Sequence, residues 1–448
     1  MAREFKDSGI EWIGQIPKEW KIVPFKAYFT TGKGLSFTKA DLTPQGHAVV
    51  SYGQVHSKVN TGTRLDDTLL RYIPDSITEN GDASRMNKGD FIFADTSEDL
   101  EGCGNCVYVD RNMELYAGYH SVTAKPKVQY DNKFLAYYFL TPCWRSQIRS
   151  RVTGIKVYSI SQSIINKTYI FVPPLSIQQK IADYLDKICG EVDELVAIQE
   201  TMIEELKAYK QSVITEAVTK GLNPNTPMRN SGIDWIGDIP EHWEAKKLKY
   251  IIDYIESGTS VNAGNVPAQT NEFGVLKTSA VSKYVFDATE NKTVVSEEMD
   301  KVSCPVRKNT IIVSRMNTPE LVGACGYVEN DYNNIFLPDR LWQVHFVDTV
   351  YVKYIWYALR GSNIRNYYSS LSVGSSSSMQ NISQSQFSNG SIPIPCDVDE
   401  QRAIVSYLDT KCSEIDSLIA LKQAKIEELK EYKKSVIYEY VTGKKEVM

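Results

Sequence analysis

The chain has 448 residues, 23% charged and 42% apolar, with a formal net charge of −5. This is ordinary globular composition with room for roughly two to four domains. No run approaches the roughly eighteen apolar residues of a membrane span, and the start MAREFKDSG lacks a signal-peptide core, so a cytoplasmic chain without a membrane partner is expected. Eight cysteines, at 103, 106, 143, 189, 304, 325, 396 and 412, lack the density of a disulfide scaffold. The single CxxC, Cys103 to Cys106, has no second pair to complete a zinc site, and no metal is expected.

In chain order, the first feature is SGIEWIGQIPKEW at 8–20, which returns as SGIDWIGDIPEHW at 231–243, 223 residues later. Its glycine, proline and two tryptophans suit either a turn that plugs the start of a domain or a patch that docks a partner. At the same offset, QQKIADYLDKICGEVDEL from Gln178 matches QRAIVSYLDTKCSEIDSL from Gln401, and EELKAYKQSVITEAVT from Glu204 matches EELKEYKKSVIYEYVT from Glu427. Between the flanks lie two unlike inserts, 21–171 and 244–394, sharing little beyond ISQS at 160–163 and 382–385. Like flanks and unlike inserts suggest one scaffold carrying two different readers, the plainer alternative being an old duplication that drifted.

Each insert reads as mixed α/β. Extended runs such as HAVVSYGQV, GDFIFAD and CVYVD precede the helical DNKFLAYYFLTPCWRSQIRSR, and NTIIVSRMN, ACGYVEN and LWQVHFVD precede VYVKYIWYALRGSNIRNYY. The shared C-terminal pieces read as long helices. In the first, Ile181, Leu185, Ile188, Val192, Leu195, Met202, Leu206, Tyr209 and Val213 follow a 4-3 spacing broken by Gln199; in the second, Ile404, Leu408, Ile415, Leu418, Leu429, Tyr432 and Val436 do so, interrupted by lysines. About 40 residues make a rod near 60 Å long, and two such stripes bury each other best as an antiparallel pair. The expected fold is thus two α/β (α+β) domains in tandem pseudo-repeat joined by two long antiparallel coiled-coil helices. Boundaries are expected at 1–174 and 222–395 for the domains, the latter including a linker, with helices at 175–221 and 396–448.

Catalytic motifs are missing. There is no GxxxxGK[ST], no strand-linked GxGxxG and no GxSxG, and the five histidines are dispersed. Pro74-Asp75 with Lys88 is too loose a pattern to carry a nuclease. Charge is segregated: 18–173 holds 19 Lys+Arg against 15 Asp+Glu, whereas 175–221 holds 5 against 9. Arg145, Arg149, Arg151 and Lys156 beside Tyr158 and Ser159 form a basic, aromatic cluster of the kind that meets phosphates and base edges; a solvated helix face is the alternative. In the second insert Lys353, Arg360 and Arg365 with Tyr367 and Tyr368 occupy the matching place. They precede VGSSSSMQN, in which Ser376, Ser377, Gln380 and Asn381 can hydrogen-bond phosphate or adenine, or simply form a flexible loop. Further candidates are Lys33, Arg85, Ser260, Arg315, Asn317 and Arg340. Leu185, Val192, Leu195, Leu206, Leu408, Ile415, Leu418 and Leu429 are the candidate spacer and docking positions on the helices.

Together SGIEWIGQIPKEW, the pair VPPLSIQQKIADYLD and IPCDVDEQRAIVSYLD, and EELKAYKQSVITEAVTKGL resemble the specificity subunit of type I restriction-modification enzymes over essentially the whole chain. The resemblance implies two target recognition domains, each reading half of an asymmetric bipartite site in double-stranded DNA, with the helices fixing the gap. It implies two methyltransferase (modification) subunits and ATP-dependent restriction (translocase and nuclease) subunits as partners. It also implies a chain that is not itself an enzyme and holds no cofactor, S-adenosylmethionine, ATP and Mg belonging to the partners. The family's loop after the central glycine falls on Gly154 to Ser161 and on Gly374 to Ser383, where GSSSSMQNIS departs from the basic first copy.

Overall fold

The structure, a computed structural model, describes residues 4–79, 81–374 and 379–447. It divides into two compact units, Met1–Gln199 with Ala424–Met448, and Glu200–Gln423.

The first unit's insert contributes β1 (Phe29–Lys33), β2 (His47–Val50), β3 (Arg71–Ile73), β4 (Arg85–Met86), β5 (Phe91–Ala94), β6 (Thr96–Ser97), β7 (Cys106–Tyr108), β8 (Leu115–Ala117), β9 (Ser121–Pro126) and β10 (Tyr158–Ser159), with helices α1 (Asn132–Phe139) and α2 (Pro142–Arg149). One sheet runs β7-β5-β9-β1 and a second β3-β2-β8-β4, with β2 and β8 parallel; β6 and β10 form a separate ribbon. Strand β5, FIFA, is buried on both faces, and its period of two divides it. Phe91 and Phe93 enter the core shared with α1 and the long helices, while Ile92 and Ala94 enter the core over the second sheet.

The second unit repeats this topology with other residues. Its strands are β11 (Ile252–Ser257), β12 (Gly274–Leu276), β13 (Asn291–Thr293), β14 (Pro305–Val306), β15 (Thr310–Ser314), β16 (Met316–Asn317), β17 (Cys325–Val328), β18 (Tyr332–Phe336), β19 (Leu341–Phe346) and β20 (Gln380–Asn381). The sheets run β11-β19-β15-β17 and β13-β12-β18-β14, and β16-β20 is the ribbon. Ile311 and Val313 of β15 face one core and Ile312 the other. This unit also holds α4 (Val352–Leu359) and α5 (Ser362–Leu371).

Both inserts begin and end in one two-stranded clasp. Lys21–Pro24 pairs with Tyr169–Val172, and Trp243–Lys247 with Ser391–Pro395, both antiparallel. The ends of each variable segment are therefore neighbours, as a replaceable graft requires. The repeated tryptophan string precedes the clasp as a hairpin: Phe5–Asp7 pairs with Gln15–Pro17, and Met228–Asn230 with Asp238–Pro240. Gly14 and Gly237 turn it at φ of 68° and 72°, conformations that favour glycine. Ile16, Trp20, Ile239 and Trp243 are fully buried, so the string plugs each core, while Trp12 stays 39% exposed. The repeated ISQS has a local cause too: Ser161 and Ser383 cap five-residue helices through their hydroxyls, and Ile160 and Ile382 are buried.

The long helices are α3 (Leu175–Lys220) and α6 (Val398–Val441). In the first unit they pack antiparallel, with Tyr184 against Tyr440 and Lys433 Nζ 2.6 Å from Asp193. In the second unit Lys210 Nζ sits 2.6 Å from Asp416, again in antiparallel sense, since Gly221 lies close to Glu400. The repeat makes Asp193 equivalent to Asp416 and Lys210 to Lys433. A parallel, in-register pair would set like charges together, so these residues favour the antiparallel pairing.

The seam differs from the expected stripe in one of its two lines. Leu185, Val192, Leu408 and Ile415 are buried and Leu206 and Leu429 half-buried, but Leu195 and Leu418 are each 46% exposed, and Met202, Tyr209 and Tyr432 are exposed as well. The second line lies one residue later, through Cys189, Val196 and Ile203 on α3 and Val405, Cys412 and Ile426 on α6. Both choices satisfy 4-3 spacing, and residue bulk favours the exposed one. The smaller side chains allow the closer approach, and they are the ones inside.

Each unit is tied to its helix by the same contacts. Gln178, 3% exposed, accepts from the Asp131 N–H at the start of α1 (2.8 Å) and donates to Pro173 O (2.7 Å); Gln401, 1% exposed, accepts from Tyr351 N–H (2.8 Å) and donates to Pro395 O (3.0 Å). Tyr137 and Lys133 meet Asp186, as Tyr357 and Lys353 meet Asp409. Gln178→Leu and Gln401→Leu each leave a half-buried N–H and a buried carbonyl unpaired and should cost about 1–3 kcal/mol. Denaturant unfolding of the full chain checks this, and unchanged midpoints for both variants would contradict the role given to the glutamines.

Candidate nucleic-acid interface

In the first unit the chain leaves β5 through Asp95 and enters the ribbon strand β6. Asp95 N–H donates to His120 O (3.2 Å) on the turn before β9, and Asp95 O accepts from Ile160 N–H (2.6 Å) just after β10. Asp95 is thereby held from both sides where sheet and ribbon join. His120 adopts φ of 53°, uncommon for a side-chain-bearing residue, and its ring meets Tyr52 and Tyr119 edge-on. Its Nδ1 lies 3.3 Å from Asp95 Oδ1.

Two clefts flank the ribbon. One, about 800 Å³, is lined by His56, Ser97, Asn105, His120 and Arg145 among others. The other, about 760 Å³, is lined by Lys33, Asp95, Tyr119, His120, Ser159 and Gln162 among others. His56 is fixed in the first: its Nε2 donates to Thr96 O (2.8 Å), since a carbonyl only accepts, and its Nδ1 then accepts from Asn105 (3.2 Å).

The basic cluster expected from sequence is divided by the structure. Arg145 is half-buried and donates to Phe139 O and Glu101 O (both 3.2 Å), and burial pulls its pKa below the usual arginine value. Arg149 donates to the same Glu101 O (2.7 Å), and Arg151 to Gln147 O. These arginines brace the 98–105 loop and the end of α2. Lys156 differs, because the whole loop 153–157 is exposed, Ile155 by 96%. Tyr158 and Ser159 sit on the ribbon opposite Ser97 and Thr96. Lys33 lines the second cleft with Ser159, whereas Arg85 is exposed on β4 and lines neither cleft.

In the second unit Asn317 pairs opposite Gln380, and Met316 opposite Asn381, on the β16-β20 ribbon. Arg315 precedes the ribbon and Arg340 is exposed on the turn before β19. Ser260 donates its hydroxyl to Asp339, next to Arg340. Arg365 points elsewhere: its Nε donates to Tyr284 OH (2.8 Å), its guanidinium stacks 4.3 Å from that ring, and it reaches Gln211 of α3. Arg360 is likewise stacked on Trp356, at 4.5 Å. Ser376 and Ser377 lie outside the described residues. Sequence reasoning missed Asp95, His120 and His56, none of which stands in a basic run; the signal available for Asp95 and His120 was their position next to buried strands, and His56, after a four-residue helix, had none.

Among the described residues no group of three or more His, Cys, Asp or Glu is placed to hold a metal, and no helix is long and apolar enough to cross a membrane. Cys103 and Cys106 are buried thiols, and burial pushes Cys106 up to about 12.

One α/β topology used twice, on repeated helices and with unlike ribbons, defines the class: a tandem two-domain protein whose domains differ at their exposed ends. The family model described as type I restriction modification DNA specificity domain matches residues 17–208 and again 240–431, and the chain belongs to that family. It is 23% identical over 430 residues to the type I restriction enzyme EcoKI specificity subunit of Escherichia coli K12, covering 91% of this chain and 86% of that protein. It is 25% identical over 342 residues to the MjaVIII specificity subunit of Methanocaldococcus jannaschii, covering 74% and 76%. Its fold matches a chain from a structure titled for complex assembly and conformational transition of the type I R-M system, with a TM-score of 0.68 at 16% identity over 95% of this chain and 98% of that one. It also matches the HsdS subunit from Thermoanaerobacter tengcongensis, with a TM-score of 0.50 at 16% identity over 96% and 98%.

The division of the basic residues is testable by stability. Arg365→Ala removes a half-buried hydrogen bond and a stacked ring contact and should cost about 1–2 kcal/mol, whereas Lys156→Ala should stay within about 0.5 kcal/mol. Thermal denaturation distinguishes these, and the opposite ranking would contradict the assignment.

Proposed function

We propose that the chain is the DNA sequence-recognition subunit of a type I restriction-modification complex, with one unit reading each half of an asymmetric bipartite site. The observation that carries this reading is the pair of ribbons. Two domains of one topology place different side chains at the same exposed junction, Asp95, His120 and Ser159 in one and Arg315, Arg340 and Asn381 in the other. A protein reading one symmetric sequence has no use for that difference.

Direct contacts fall on the ribbons and adjoining loops: Lys33, Lys156, Tyr158 and Ser159 in the first unit, and Ser260, Arg315, Asn317, Arg340, Gln380 and Asn381 in the second. Lys156 supplies charge to the backbone and the ribbon residues supply base-edge donors and acceptors. One reader discriminates by about 1–3 kcal/mol per wrong base pair, and two readers add their penalties. The spacer helices set the gap between the half-sites, and they and the domains dock two methyltransferase subunits. Methyl transfer to adenine N6 and ATP-driven cleavage belong to the partner subunits, which hold S-adenosylmethionine, ATP and Mg, and the chain itself performs no chemistry.

The full chain purified with its methyltransferase partner should select, from a pool of randomised duplexes, two short specified blocks separated by a fixed unspecified gap. Lys156→Ala should retain the same sequence and lower the slope of log K against log salt by about 1. A single contiguous block, or no preference at all, contradicts the proposal.

A further inference from the structure

Strand registers align the two units residue by residue at the ribbon junction. Ala94 pairs with Ser121, and Ser314 with Leu341, so Asp95 corresponds to Arg315 and His120 to Arg340. The backbone agrees: Arg315 N–H donates to Arg340 O (3.1 Å), and Arg315 O accepts from Ile382 N–H (3.0 Å), as Asp95 does with His120 and Ile160. One structural position thus carries an acid and an imidazole in the first unit and two guanidiniums in the second.

Both junction residues keep a buried polar atom without a hydrogen bond. Asp95 Oδ1, though 3.3 Å from His120 Nδ1, makes none among the described residues, and neither does Arg315 Nε. Asp95, whose side chain is 35% exposed, and His120, 59% exposed, nevertheless keep polar groups open to a ligand at this position. In the first unit the open side is defined, since Asp95 and His120 line the cleft beside Lys33 and Ser159, and His120 lines the other cleft as well.

We propose that this pair of positions is the switch that gives the two half-sites different bases. Resting on the DNA-reading function proposed above, it assigns to Asp95 a base with an exocyclic amine at the edge, cytosine N4 or adenine N6, because an ionised carboxylate only accepts and disfavours the O6 and N7 acceptors of guanine. It assigns guanine to Arg315 with Arg340, whose guanidiniums only donate and match O6 and N7 in two-pronged fashion. His120 is a positioning residue, holding the Asp95 carboxylate toward the cleft.

The test uses the complete complex of the full chain with its methyltransferase partner and duplexes selected from a randomised pool. Asp95→Asn preserves shape and adds a donor; it should relax the preference at one base pair of one half-site by roughly ten- to hundredfold and leave the other half-site unchanged. Asp95→Arg with His120→Arg should turn that base pair toward guanine, and Arg315→Gln should relax a guanine in the other half-site. A folded Asp95→Asn variant with the wild-type preference at every position would overturn the switch while leaving DNA reading intact, as would changes in both half-sites. Absence of any sequence preference in the wild-type complex would overturn the reading on which the switch rests.

Discussion

A buried glutamine at the start of each long helix is the contact on which the rest of the architecture depends. Gln178 and Gln401 close a bridge between the strand that ends the insert, through Pro173 O or Pro395 O, and the backbone N–H that opens the insert's own helix. An uncharged amide both donates and accepts in a fixed plane. Replaced by an apolar residue it would strand a buried carbonyl and a half-buried N–H in each unit. The carboxylates Asp186 and Asp409 extend the same bridge by accepting from a tyrosine and a lysine in each unit. These contacts fix how a domain sits on its helix without involving any residue at the ribbon, so the exposed end is free to differ.

That separation explains the pattern of likeness along the chain. The clasp brings the ends of each insert together, the hairpin with its buried tryptophan seals the core, and the helices carry the glutamine and carboxylate. The helix side of the attachment lies in the repeated flanks, and each insert supplies a tyrosine, a lysine and a backbone N–H to meet it. The inserts keep a topology, which requires only strands buried on both faces such as FIFA and TIIV, and vary the side chains at its edge. Electrostatics follows the same division: the chain is acidic in sum, and its arginines nearest the first ribbon are held by backbone carbonyls.

The sequence made much of the fold legible and less of the site. Repeats exposed the duplication because flanks under a packing constraint cannot drift, and the heptads revealed the long helices. Periodicity did not choose between the two lines of the seam. Leu195 and Cys189 both fit the spacing, and only three-dimensional packing shows that the smaller residue is inside. Arginine runs suggested a binding face, yet a guanidinium serves equally to brace a loop, and Arg145, Arg149 and Arg365 do so. Asp95 and His120 were invisible as chemistry because 25 residues separate them and a strand register, not a motif, brings them together.

The central claim is that each insert is an autonomous reader on a common frame, and exchanging one insert for the other tests it most directly. In a chain whose residues 244–394 are replaced by a copy of residues 21–171, selection with the methyltransferase partner bound should return the first half-site intact and a second copy of it in place of the second half-site. Retention of the original second half-site, or alteration of both, would contradict the account.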